Sequence, residues 1–157
     1  PVIAGTTGWL NKKEEINKLC LKNNGAFLYA SNFSIGVNMF FIINEKIAEI
    51  MKTKNFHTTL HEVHHKEKID SPSGTAITIA QKLESILSKK INIFSERIND
   101  NVGTHLIKYT SKFDKIELKH SALNRDGFAL GAIMAAEWIK DKKGIFEMSD
   151  VINELIL

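Results

Sequence analysis

Apolar positions along this chain switch between two periods. Val2-Ile3-Ala4 is a short apolar run closed by Gly5-Thr6-Thr7-Gly8, and Ile16, Leu19 and Cys20 then recur at helical spacing, predicting a helix over 11–21. Asn23-Asn24-Gly25 breaks it, and Ala26 to Ala30 is a second apolar strand ending in Ser31-Asn32-Phe33-Ser34. Strand, helix, strand at this spacing predicts a βαβ unit, hence a parallel sheet whose ligand edge lies at the strand ends. A longer helix is expected over 35–53, with Val37, Phe40, Phe41, Asn44, Ile47 and Ile50 along its core face. A strand over 56–63 and a helix over 75–88 follow, the latter carrying Ala76, Ile79, Ala80, Leu83, Ile86 and Leu87. Residues 91–94 form a further strand. Residues 105–111 and 115–122 alternate around Lys112-Phe113-Asp114 as a hairpin, and a last helix covers 128–140.

Composition narrows the function classes. With 157 residues and 43% hydrophobic content, the chain can bury the core of one domain or parts of two. The longest apolar run, Met39 to Ile43, is far short of the ~20 residues that cross a bilayer, so the expectation is a soluble chain with no membrane partner. A single cysteine, Cys20, allows no internal disulfide, fits a cytoplasmic setting, and reads as a small buried hydrophobe. The net charge is +3, but the basic residues are scattered lysines with only Arg97 and Arg125 as arginines. Nucleic-acid readers cluster arginine or interleave it with aromatics, so no nucleic-acid partner is expected.

The chemistry concentrates between Glu62 and Ala76. His64, His65 and Lys68 precede the turn Pro72-Ser73-Gly74-Thr75, which opens the helix. Ser73 and Thr75 supply hydroxyls, Gly74 admits close approach, and a starting helix favours an anion such as a carboxylate. Imidazoles beside that anion can donate protons near neutral pH. Solvated histidines and an ordinary helix cap would look the same on these residues alone. His61-Glu62-Val63-His64-His65 also fits H-E-x-x-H, a zinc-protease motif that requires a helix. The β-branched and aromatic run Phe56 to Leu60 predicts a strand instead, where residues four apart are separated by roughly 13 Å. Zinc is therefore not expected, and no metal is assigned.

The run His64-His65-x-x-Lys68-x-Asp70-x-Pro72-Ser73-Gly74-Thr75-Ala76 resembles the signature of the dihydrodipicolinate reductase family. Arg97 followed by Gly103-Thr104-His105 resembles a second family stretch, although Asn99 stands where the family usually has glycine. His120 to Ala132, with Arg125 at its centre, resembles a third, and Gly144 to Val151 resembles the family's ending. The resemblance implies an α/β chain: the C-terminal half of a Rossmann-type dinucleotide domain (1–34), an α+β substrate and oligomerisation domain with an open mixed sheet (35–126), and a C-terminal helix and tail returning to the dinucleotide domain (127–157). It implies hydride transfer from NADH or NADPH to a small cyclic dicarboxylate, 4-hydroxy-tetrahydrodipicolinate, in lysine (diaminopimelate) biosynthesis, by a homo-oligomer, a tetramer in the family.

By the same resemblance, His64 is the proton donor and Lys68 orients the substrate. His65, Ser73, Gly74 and Thr75 hold carboxylates, with Arg125 and His120 weaker substrate-binding candidates. Gly5, Thr6, Thr7, Ser31, Asn32 and Phe33 meet the nicotinamide end of the cofactor. No G-x-G-x-x-G follows any strand, and the chain opens on Pro1 within a strand pattern, so a missing N-terminal part is expected. A non-catalytic dicarboxylate- or nucleotide-binding relative would keep the Ser73-Gly74-Thr75 cradle but would need neither His64 nor Lys68.

Overall fold

A computed structural model describes residues 1–6 and 8–155. They divide into two compact units, one formed by Pro1–Met39 with the segment from Asp126 onward, the other by Phe40–Arg125. No helix of the described residues is long and apolar enough to cross a membrane.

The first unit is a parallel sheet with helices. Strands β1 (Val2–Ala4) and β2 (Ala26–Tyr29) pair in parallel, Val2 opposite Phe27, through the connecting helix α1 (Lys13–Lys22). A third strand, β3 (Gly144–Phe146), pairs with β2, Ala26 opposite Gly144, so β2 lies in the middle of the sheet. Neither this strand nor the terminal helix over Met148–Leu155 is predicted from the sequence pattern; three residues of strand carry no alternation, and their order comes only from the neighbour. The core gathers Phe27, Leu28, Ala135, Ile139, Met148, Val151 and Ile152. Cys20 corrects the expectation of full burial: it is half-buried, its Sγ 3.8 Å from the Gly144 carbonyl oxygen.

The second unit holds a mixed four-stranded sheet. Its strands in chain order are β4 (His57–His64), β5 (Asn92–Arg97), β6 (Thr104–Thr110) and β7 (Lys115–Ser121). β4 pairs in parallel with β5 and antiparallel with β6, while β6 and β7 form the expected hairpin. The crossover from β4 to β5 is helix α3 (Gly74–Leu87), which buries Ala76, Ile79, Ala80, Leu83 and Leu87 at helical spacing. Helix α2 (Ile35–Met51) runs from the first unit into the second. Its buried stripe continues through Phe41, Asn44, Ala48 and Met51, whereas Ile50 is 66% exposed, correcting its place on the core face. Steps of three and four residues carry the stripe from Asn44 to Ala48 and Met51, and Ile50 falls outside it. Asn44 is kept inside by accepting a hydrogen bond from Tyr109 Oη at 3.1 Å, and burial pushes the Tyr109 phenol up to about 12.

Candidate active site

Strand β4 alternates strictly: Thr58, Leu60, Glu62 and His64 are buried, while the residues between them are more exposed. His64 is the last residue of this strand, not part of the loop beyond it as predicted. Two polar side chains thus share the inward face that Leu60 also occupies. Pairing supplies their neighbours. Parallel β5 sets Arg97 opposite His64, and antiparallel β6 sets His105 opposite Glu62.

Glu62 is fully buried and is the centre of the cluster. Its Oε1 accepts from the Ser73 N–H at 3.0 Å and from Arg97 Nη2 at 3.1 Å. Its Oε2 lies 3.0 Å from His64 Nδ1 and 4.0 Å from His105 Nε2. Burial alone would raise its pKa, but interactions with the His64, Ser73 and Ser95 side chains and the Ser73 N–H outweigh it and hold the carboxyl well below the usual range. His105 is pushed down to about 4, chiefly by desolvation and then by the neighbouring His64, whose ring is 5.2 Å away edge-on. It is therefore neutral near pH 7 and can accept from Ser73 Oγ at 3.4 Å.

The loop from His65 to Ser73 is tied down by Arg97. Besides Glu62, its guanidinium donates to the carbonyls of Lys68, Glu96 and Asp70. Ser73 caps α3, its Oγ accepting from the Ala76 N–H at 3.1 Å. Asn99, the departure from the family pattern, has φ 40°. Asparagine tolerates this left-handed conformation better than most residues, so it can stand in for glycine, and its carbonyl accepts from the Lys66 N–H.

Other predicted residues lie nearby in different company. Lys68 Nζ bonds Asp70 Oδ1 at 2.7 Å, and this pairing, partly offset by desolvation, lowers the Asp70 pKa. The pair is partly exposed, so it is worth at most about 1 kcal/mol, and an arriving carboxylate can displace it. His65 Nε2 stands 3.4 Å from Arg125 Nη2, and both line a cleft of about 510 Å3 with Lys66, Asn99 and Val102. A Cβ on Gly74 would meet nothing within 4 Å, so no described atom of the chain demands glycine there and the space is open. His120 packs against Phe40 on β7, its pKa lowered by burial.

The sequence reading did not single out Glu62 or Gly103. An acid on the apolar face of a strand, between Leu60 and His64, was the signal available for Glu62. For the zinc motif, β4 is a strand as predicted, not the helix that H-E-x-x-H needs. Donor atoms of Glu62, His64 and His105 do lie within 4.8 Å of one another. A cation there would have to share the carboxylate with Arg97, a fixed positive charge at 3.1 Å.

In the first unit, the segments after β1 and β2 approach each other. A Cβ on Gly5 would stand 2.9 Å from the Phe33 ring. Trp9 Nε1 donates to the Thr6 carbonyl, Asn32 Oδ1 accepts from the Ser34 N–H, and Asn38 Nδ2 donates to the Asn32 carbonyl. Ser31 is exposed beside them, while Thr7 lies outside the described residues. Backbone-rich turns at the carboxyl ends of adjacent parallel strands fit the nicotinamide end of a dinucleotide.

A parallel α/β unit and a mixed sheet bearing a Glu-His-His-Arg cluster, its Glu62, His64 and His105 buried, define a class of two-part α/β proteins. A family model described as "Dihydrodipicolinate reductase, C-terminus" matches residues 36–152. The 4-hydroxy-tetrahydrodipicolinate reductase of Christiangramia forsetii is 46% identical, covering 99% of this chain and 70% of that protein. That of Aquifex aeolicus is 37% identical, covering 97% and 63%. A solved dipicolinate-bound dihydrodipicolinate reductase from Paenisporosarcina sp. superposes with a TM-score of 0.75 at 23% identity, over 92% of this chain and 62% of that one, which shows the shared fold. The chain belongs to the dihydrodipicolinate reductase family. It spans between 62% and 70% of the length of these relatives.

Proposed function

We propose that the protein containing this chain reduces 4-hydroxy-tetrahydrodipicolinate to tetrahydrodipicolinate with NADH or NADPH, in lysine biosynthesis, and that His64 provides the proton. One observation carries the reading: a buried imidazole, one nitrogen on a carboxylate, ends a strand whose next loop leads into a capped helix start. The names of the relatives support the same reaction, and dipicolinate in the solved neighbour supports a cyclic dicarboxylate as the ligand class.

The nicotinamide would supply hydride when bound; Gly5, Thr6, Ser31, Asn32 and Phe33 would hold its ring end. The chain's own residues do the rest. His64 gives its proton to the reduced ring, and Lys68, released from Asp70, balances the charge that develops. His65 and Arg125 take one carboxylate from the cleft side, and Ser73, Gly74 and Thr75 take the other at the positive end of α3. Association into a tetramer through the open sheet, in the cytoplasm, belongs to the same proposal.

The test is NADH oxidation by the full-length protein. His64→Gln is expected to lose about 10²-fold or more in turnover. Unchanged turnover would remove His64 from the reaction, and no reduction of this substrate by the parent would overturn the whole reading.

A further inference from the structure

We propose that Glu62, anchored by Arg97 and the Ser73 N–H, is the positioning residue that holds the His64 proton on Nδ1 and leaves Nε2 as the edge that delivers a proton. The inference rests on the reading of His64 as the acid and deepens it.

Hydrogen-bond capacity decides the orientation. Glu62 Oε1 already accepts twice, from Ser73 and Arg97. Only Oε2 remains. Its neighbour is His64 Nδ1 at 3.0 Å, an ion-pair contact, and these two buried atoms have no hydrogen-bond partner among the described residues. An ionised carboxylate has no proton to give, so the hydrogen between them belongs to Nδ1. His105 Nε2, at 4.0 Å, is beyond hydrogen-bond reach and turns to Ser73 Oγ instead. The opposite ring edge faces Gly103, where an added Cβ would lie 3.1 Å from His64 Nε2.

Among the described residues, Arg97 stands 3.1 Å from Oε1 on the β5 side and His105 lies edge-on to His64 from β6, itself influenced by His120 and Lys68. The contacts that hold the Glu62 carboxyl well below the usual range, those of His64, Ser73 and Ser95, keep it an acceptor throughout the working range. As His64 gives up its Nε2 proton, Nδ1 keeps its own, and the ring re-protonates at the same edge. The imidazole cannot turn over without stranding a buried carboxylate oxygen.

A merely structural Glu62 would pin the Ser73 N–H and nothing more. Glu62→Gln separates the two roles, since the amide oxygen can still accept from Ser73 while the charge on His64 is gone. In the full-length enzyme, kcat should fall about 10²-fold or more, as expected for an acid held in the wrong tautomer. KM for the dicarboxylate should change less than about 3-fold, and the limb of the kcat profile that reports the acid should move to lower pH. Glu62→Asp, which keeps the charge, should recover part of kcat.

A Glu62→Gln enzyme with parental kcat and pH profile overturns the proposal. If His64→Gln is crippled in the same assays, the assignment of His64 as the acid survives that result. Nitrogen NMR of the unmutated full-length protein needs no variant to fold: neutral His64 protonated on Nδ1 is the expected result, and protonation on Nε2 alone overturns it.

Discussion

Gly103 lies against the His64 ring so closely that a methyl group in its place would stand 3.1 Å from Nε2 and 3.3 Å from Cδ2. The ring edge turned away from Glu62 therefore faces Gly103. Gly103→Ala should shift the imidazole by a few tenths of an ångström from its present seat beside Oε2. We expect a loss of about 1–3 kcal/mol in stability, as for small overpacking, and a fall in kcat larger than the change in KM. Urea unfolding and steady-state kinetics on full-length protein check both, and unaltered kcat would show that this contact does not set the ring's position.

Arg97 forms the only ion pair to Glu62 from an arginine or lysine among the described residues. Arg97→Met would leave that carboxylate buried without its cation and would free the carbonyls of Lys68 and Asp70. A cost of about 3–5 kcal/mol is expected. Arg97→Lys keeps the charge but cannot fork to four acceptors, so it should cost less yet still loosen the loop. Urea midpoints for the pair, with amide exchange across 66–73, would show whether charge or fork matters more.

Gly131 in helix α4 (Asp126–Trp138) passes directly over the Phe33 carbonyl, and a Cβ there would overlap that oxygen. Backbone cannot rotate out of the way as a side chain can. Gly131→Ala should therefore cost more than about 3 kcal/mol and displace the Ser31-Asn32-Phe33 turn. Fluorescence titration should show weaker NADH binding in the full-length variant, whereas Gly127→Ala, whose Cβ would meet nothing within 4 Å, should bind NADH as the parent does.

Stability should fall as the solution is acidified below neutrality. His105 titrates at 6.5 when unfolded and about 4 when folded, so between those values the unfolded chain binds more protons and gains on the native state. For this group the loss reaches about 3 kcal/mol by pH 4. His61 and His120, lowered chiefly by burial, act in the same direction. Glu62 adds its own share lower down: its stabilisation is complete above its unfolded value of 4.5 and is lost as the pH falls below that. Urea midpoints at pH 7.5, 6 and 5 should decline in steps, and His105→Asn should flatten the decline between 6.5 and 5.

Local pattern carried much of this structure in plain view. The alternation from Thr58 to His64, the helical repeat after Ser73 and the hairpin around Lys112 to Asp114 each follow from residues close in sequence. The cap at Ser73 was legible for the same reason. What escaped depends on distant pairing. Glu62 meets Arg97 across 35 positions, a neighbour fixed only when α3 returns the chain to a parallel strand in register. Likewise β3 has no pattern of its own and owes its order to β2. His64 was expected in a loop because its polarity hid that it completes an alternating strand.

That alternation also sets how the site can fail. Glu62 and His64 reach the interior as second neighbours on β4, while His61, Val63 and His65 point elsewhere. A one-residue slip of β4 against β5 and β6 would carry both groups to the opposite face together and bring in a different set. A misregistered molecule would thus have no acid site at all, rather than a weakened one. In a mixed preparation, turnover would count correctly registered chains one by one, and the pH profile of the active fraction would not change as that fraction shrank.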